Sequence, residues 1–279
     1  MRRLACALSG EACFVEKAEQ APHKKAAASR RSPKHAMRIN SYTPPGTLNA
    51  DLVVLSPEES HHLARVLRVE AGQELTLFDG RGMRAAGFVE AITKKEVTVR
   101  ITARETVPPP AVEITLIQAV CKADRFELIL QKATELGIRR IQPVVTKNAS
   151  LPGGKIEKMA GRGEAIIRNA AQQCGTAWLP EFQELEKMDA VFPMIGKFDA
   201  AFIGSLHPDA RPFREIFRTL EKTEIKTAAL LIGPEGDFTA EEVNAAVAAG
   251  AIPVTFGRQI LRTETAAIFG LSVLVYELC

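Results

Sequence analysis

Two short stretches near the C-terminal end combine glycine with charge as ordinary connecting loops do not: GPEGDFTAEE at 233–242 and GRQILRTETAAIFG at 257–270. Each follows an apolar run that reads as a buried strand, TAALLIG or IPVTFG, and each leads into a helix. Ligands of open α/β sheets bind at the carboxyl ends of strands, and glycine lets backbone approach a ligand closely. Both turns are therefore expected to face one pocket, with Glu235 in the first and Arg262 and Glu264 flanking the helix start of the second. Taken singly, each has a plainer reading. GPEGDF is a proline–glycine turn before a capped helix, and ILRTETAAIFG is a helix N-terminus capped by Thr263. Neither accounts for three charges gathered at adjacent turns. The sequence contains no GxxxxGK[ST] and no GxGxxG after a strand, so neither a P-loop nor a dinucleotide site is expected. The cysteines Cys6, Cys13, Cys121, Cys174 and Cys279 form no CxxC pair, and no Cys/His spacing suits zinc. They read as core residues of a chain from a reducing cytosol, and none is given a catalytic role.

The elements that must position these turns follow from the pattern. From 37 to about 105 the chain reads as a small β-rich domain, a barrel with one helix. DLVVL, QELTLFD, MRAAGFVEAI and KEVTVRITA are strands, and DGRG is a turn. SPEESHHLARVLRV is a helix with Ser56 as N-cap and Pro57 in its first turn. VPPP at 107–110 is a stiff break. Beyond it strands and helices alternate, the mark of an α/β domain with a mostly parallel sheet. AVEITLIQAV, IRRIQPVV and FDAAFIG read as strands. DRFELILQKATELG, KIEKMAGRGEAIIRNAAQQCG (155–175) and RPFREIFRTLEK read as helices. Thr239 and Glu242 make a capping box for AEEVNAAVAAG. IFGLSVLVYEL is too short to span a bilayer and reads as a buried helix.

The chain has 279 residues and a formal net charge of +3. Residues 1–36 hold eight Lys/Arg against three Asp/Glu, so the remainder carries 28 basic and 30 acidic residues. Net charge therefore gives no argument that the folded body binds nucleic acid; such a surface must be a local patch. The leader lacks the long apolar run of a secretory signal, and Glu11, Glu16 and Glu19 do not suit a transit peptide. It reads as disordered, either untranslated with Met37 as the start or a dispensable tail.

LLIGPEGDFTAEEV followed by FGRQILRTETAAIFGLSVL resembles the C-terminal signature of the SPOUT superfamily, and within it the ribosomal RNA small subunit methyltransferase E family. MRINSYTP at 37, HHLARVLRV at 61, QKATELGIRRIQPV at 131 and AAQQCG at 170 match as well, so the resemblance covers essentially 37–279. It implies an N-terminal PUA-like β-barrel, 37–107, followed by a SPOUT α/β domain, 108–279, whose C-terminus forms a deep trefoil knot. It also implies a cytoplasmic homodimer, with no metal and no membrane, that uses S-adenosyl-L-methionine to methylate uridine N3 in 16S ribosomal RNA near the decoding centre. The substrate is the small-subunit rRNA or the 30S subunit.

On that resemblance, Gly233, Glu235, Gly236, Gly257, Ile260, Leu261 and Leu206 are expected to hold the cofactor, and His207 to be structural. Uridine N3–H is a weak acid, so the enzyme must assist proton loss and stabilise the imide anion. Arg262 beside the base carbonyls would do the latter. Glu264 would accept the proton, orient Arg262, or only cap the helix.

The 37–107 region is neutral, with nine basic and nine acidic residues. Arg38, Arg65, Arg68, Arg81 and Arg84 are spread over it and could track phosphates. Arg65 and Arg68, three apart, would share a helix face. His62 and His61 would contact RNA or support the helix start, and Asn169 and Gln173 would contact the target nucleotide. The family often has a glutamate where Gln172 stands and an arginine where Thr176 stands, with Trp178 downstream here. The missing charges point to altered substrate contact or an altered dimer interface. Two other readings remain: a related methyltransferase acting on another RNA, and a non-catalytic RNA-binding assembly factor.

Overall fold

The computed structural model describes residues 39–149 and 161–279; the leader, Met37 and Arg38 lie outside them. Strands β1 (Asn40–Tyr42), β2 (Leu52–Val54), β3 (Glu74–Phe78), β4 (Met83–Ile92) and β5 (Val97–Thr106) form one sheet in the order β1-β3-β4-β5-β2. β1 runs parallel to β3, and the other pairs are antiparallel. Alternation along β5 turns Val97, Val99 and Ile101 inward against Leu48, Leu63 and Leu77. The DGRG turn forms because Asp79 Oδ1 accepts the N–H groups of Arg81 and Met83 at 2.7 and 3.0 Å.

Ser56 caps helix α1 (Pro57–His61), accepting the Glu59 N–H at 3.2 Å. The single helix expected here does not continue. His62–Leu67 widens into a π-helical turn, and Arg68 takes a left-handed conformation with φ 53°. The wider turn lets Leu63 and Val69, 0% and 5% exposed, both enter the core. Arg65 and Arg68 are thus not neighbours on one α-helical face, contrary to their spacing.

The second sheet contains β6 (Glu113–Ala119), β7 (Arg140–Val145), β8 (Glu181–Phe182), β9 (Glu186–Lys187), β10 (Ala200–Gly204), β11 (Arg211–Pro212), β12 (Thr227–Ile232) and β13 (Ala251–Thr255). Its order is β11-β13-β10-β12-β6-β7-β8, with β9 beside β7, and every pairing is parallel. Helices cover both faces, which is why the central strands read as unbroken apolar runs. On one side α2 (Ala123–Glu135), α3 (Gly163–Cys174), α5 (Phe213–Thr219) and α7 (Thr263–Leu278) bury Phe126, Ile167, Phe213 and Leu271. On the other, α4 (Met188–Ile195) and α6 (Ala240–Ala248) bury Val191 and Val243. The Thr239/Glu242 capping box forms as read.

Several elements differ from their sequence patterns. The helix expected over 155–175 begins, in its described part, at Gly163 after a turn at 161–162. Helix α4 went unread because Pro193 sits inside it. The C-terminal helix α7 is buried along one face only: Ala267, Leu271 and Leu274 are enclosed, while Phe269 and Tyr276 are 45% and 86% exposed. Among the described residues no helix is long and apolar enough to cross a membrane.

Candidate active site

In the sheet order, β10 lies between β13 and β12, so the turns leaving these three strands open side by side. They enclose a cavity of about 450 Å³. The turn after β12 contributes Gly233, Glu235 and Gly236 to its wall; the segment after β13 contributes Gly257, Ile260, Leu261 and Arg262; and Leu206 follows β10. The two motifs singled out in the sequence therefore share one pocket. Leu206 and Ile260 stay 64% and 79% exposed, an apolar surface left open at the site.

The glycines are set by close packing and by backbone shape. A Cβ on Gly233 would come within 3.1 Å of Asp237 Oδ1 and 3.2 Å of the Phe238 nitrogen, and one on Gly236 within 3.2 Å of Asn148. Gly257 has φ 124°, a conformation L side chains avoid. Asn148, which the sequence did not single out, donates from Nδ2 to the carbonyls of Gly236 and Asp237 at 3.0 and 3.1 Å. Asp237 itself is left-handed, with φ 58°. Burial pushes its carboxyl above the usual range, partly offset by the Phe238 N–H it accepts.

Thr263 does not cap α7. The N-cap position falls on Arg262, without a side-chain cap bond. The Thr263 hydroxyl, 5% exposed, instead donates to the Gly233 carbonyl at 2.6 Å and lies 3.3 Å from Gln118 Nε2. The start of α7 is thereby pinned to the turn after β12.

Glu264 is not paired with Arg262. Its Oε2 lies 3.8 Å from Arg125 Nε, an ion contact too long for a hydrogen bond, and that oxygen is buried with no hydrogen-bond partner among the described residues. Arg125 also binds Glu235, Nη1 to Oε1 at 3.1 Å, and the Lys122 N–H reaches the same oxygen at 3.2 Å. One guanidinium on α2 thus hydrogen-bonds the carboxylate of one turn and stands in ion contact with that of the other. Arg262 is exposed and has no carboxylate partner among the described residues. Arg125 was missed because it lies over a hundred residues upstream, in a helix whose sequence reads as ordinary amphipathic surface. Next to this cluster, burial first and then Glu235 and Glu264 push the Cys121 thiol up to about 12. His207, expected to be structural, accepts the Asp209 N–H at Nδ1 across 3.2 Å. No metal-ligating cluster occurs among the described residues.

The expected RNA contacts lie elsewhere. Arg65, Arg68, Arg81, Asn169 and Gln173 are exposed and His62 partly so, and none lines the cavity; Arg38 is outside the described residues. Arg84 is engaged, bound to Glu105 at 3.0 Å and to the Gly175 carbonyl at 2.7 Å. Gln172, Thr176 and Trp178 stand where α3 and its following loop meet the β1–β5 sheet. Gln172 Nε2 lies 2.7 Å from both oxygens of Glu59, a carboxylate 5% exposed that also accepts the Ser41 hydroxyl. Thr176 accepts the Trp178 N–H at 3.3 Å, and the Trp178 indole donates to the carbonyls of Val107 and Pro108. The departures from the family pattern therefore serve contacts within the chain.

Comparison with known proteins agrees with this architecture. Residues 108–275 match the family described as RNA methyltransferase domain, and 55–102 match the RNA methyltransferase PUA domain. The class is thus an α/β RNA methyltransferase with a PUA domain. Ribosomal RNA small subunit methyltransferase E of Mycobacterium bovis is 30% identical over 224 residues, 79% of this chain and 84% of that protein. The Bacillus subtilis protein of the same name is 25% identical, covering 80% and 89%. The chain belongs to the ribosomal RNA small subunit methyltransferase E family. Among solved structures, Legionella pneumophila Lpg2936 in complex with the cofactor SAM superposes with TM-score 0.76 at 34% identity, covering 85% of this chain and 96% of that one. The Neisseria gonorrhoeae ribosomal RNA small subunit methyltransferase E bound to S-adenosyl methionine gives 0.74 at 27%, with the same coverage.

Proposed function

We propose that this protein transfers the methyl group of S-adenosyl-L-methionine to N3 of a uridine in 16S ribosomal RNA near the decoding centre. The observation that carries the reading is the single cavity on which both glycine turns, Glu235 and Arg262 converge. Its lining suits the cofactor: Leu206, Ile260 and Leu261 offer apolar surface to an adenine, and Gly233, Gly236 and Gly257 offer close backbone. When bound, the cofactor supplies an activated methyl on a sulfonium centre.

The chain's own residues supply the rest. Arg262, on the cavity wall and with no carboxylate partner among the described residues, places positive charge where the uracil imide anion forms, favouring loss of the N3 proton to solvent water. Glu264 acts as a positioning residue: held by Arg125, it fixes the first turn of α7, from which Arg262 reaches the cavity. Exposed Arg65, Arg68, Arg81, Asn169 and Gln173, partly exposed His62, and Arg38 contact the RNA. Residues 37–107 act as a PUA-like barrel and 108–279 as a SPOUT domain with a knotted C-terminus, its last helix secured by Thr263. The exposed face of α7 with Phe269 and Tyr276 serves a cytoplasmic homodimer.

The test is to incubate the protein with labelled S-adenosylmethionine and 30S subunits from a strain lacking its own enzyme, then digest the rRNA. The expected result is label in N3-methyluridine, lost with Arg262→Ala. Label in another RNA or at another atom would overturn the assignment of substrate. Cofactor binding without any transfer would favour an assembly factor.

A further inference from the structure

A second cleft, of about 340 Å³, opens in the β1–β5 half between α1 with its π-helical turn and the β4–β5 hairpin, and shares no residue with the methyltransferase cavity. His61 and Arg65 line the cleft from the helical side, and Ile92, Lys94 and Lys95 from the hairpin. The walls are fixed by hydrogen bonds. Ser60 Oγ accepts the Val97 N–H at 3.0 Å and donates to the Leu55 carbonyl at 3.2 Å, tying helix to hairpin. Thr93 Oγ1 accepts the N–H groups of Glu96 and Lys95 at 2.9 and 3.2 Å, holding the turn that carries both lysines.

The charge distribution is uneven. Of the described Lys and Arg residues in this half, Arg84, Arg100 and Arg104 are paired with carboxylates. Arg65, Arg68, Arg81, Lys94 and Lys95 have no such partner among the described residues, and three of these five line the one cleft. Among the described residues Glu96 is the only carboxylate on its lining, and it makes no ion pair with either lysine. A neutral half-protein has thus gathered three of its five described unpaired cations at a preformed concave site. Unpaired cations cluster against self-repulsion, so the arrangement calls for a polyanion.

We infer that this cleft binds the sugar–phosphate backbone of the RNA substrate, as an anchor separate from the methyl-transfer site. No Phe, Tyr or Trp lines it, and the His61 imidazole is its one aromatic ring, so the cations dominate the wall, and recognition through phosphates is independent of sequence. Lys94 and Lys95 act as point charges on a rigid turn, with Arg65 opposite. The inference rests on the reading of the protein as an rRNA methyltransferase, and it assigns to the cleft a share of RNA affinity and none of the chemistry.

The test compares the wild-type protein with Lys94→Ala/Lys95→Ala on a 16S rRNA transcript and on 30S subunits across a salt series. Loss of two phosphate contacts is expected to lower the slope of log affinity against log salt by about 1.4–1.8. Kd and KM for RNA should rise about tenfold at low salt, with the rate at saturating RNA and the cofactor affinity unchanged. Lys94→Arg/Lys95→Arg should bind like wild type. An unchanged salt slope would overturn the proposal. So would a defect confined to 30S subunits, which would make the partner an acidic ribosomal protein, or a fall in the saturating rate, which would put the lysines in the catalytic assembly. If the wild-type protein binds cofactor but neither RNA probe, the failure lies with the rRNA reading itself.

Discussion

The hydroxyl of Thr263 donates to the carbonyl of Gly233 across 2.6 Å, joining two turns thirty residues apart in sequence. The bond is buried, and it ties the helix start carrying Arg262 to the loop carrying Glu235. Thr263→Val keeps the shape and removes the donor, leaving a buried carbonyl unpaired. The expected cost is about 1–3 kcal/mol, a Tm lower by roughly 2–10 °C. Calorimetry should show S-adenosylmethionine affinity reduced about tenfold, equivalent to about 1.4 kcal/mol. Thr263→Ser should restore both; a Ser variant no better than Val would mean the hydroxyl bond is not what holds the loops.

Arg125 is the cation between Glu235 and Glu264. Arg125→Ala leaves two partly enclosed carboxylates without their counter-charge, which should cost about 1–3 kcal/mol and weaken cofactor binding roughly tenfold. Arg125→Ala/Glu264→Gln should recover part of the stability, because it removes one of the stranded charges. Thermal melts of the four members of this double-mutant cycle measure the coupling; strictly additive effects would show that the 3.8 Å contact contributes nothing.

Gln172 donates to both oxygens of buried Glu59. Gln172→Glu would set a second carboxylate against it, so one of the two must carry a proton or the joint must open. A proton shared in this way is bound by the folded state and not by the unfolded one. Stability of the variant should therefore fall as pH rises from about 5 to 8, where the wild type changes little. Adding Glu59→Gln should abolish that dependence. A flat melting profile for the single variant would contradict the direct contact.

Cys121 is buried with its thiol pushed up to about 12. It should resist iodoacetamide at pH 8 in the folded protein, while exposed Cys174 is alkylated; peptide mass mapping distinguishes them. Rapid native-state labelling of Cys121 would show that the wall behind the Arg125 cluster opens readily.

Much of the protein was legible along the chain because its physics is local. Strand alternation in 97–101, the Ser56 and Thr239 caps, the Asp79 turn and the two glycine turns each depend on residues within a few positions of one another. The open α/β rule then placed both turns at one pocket without coordinates, and the composition confined any basic surface to a patch. The π-helical turn was not legible, because it arises from core demands on Leu63 and Val69 that helix propensity does not encode. Arg125 as partner of Glu235 and Glu264, Gln172 as partner of Glu59, and the gathering of Arg65 with Lys94 and Lys95 each join segments far apart in sequence. Strand order brings such groups together, and an electrostatic or hydrogen-bonded contact exists only once the sheet has placed its two halves within a few ångströms.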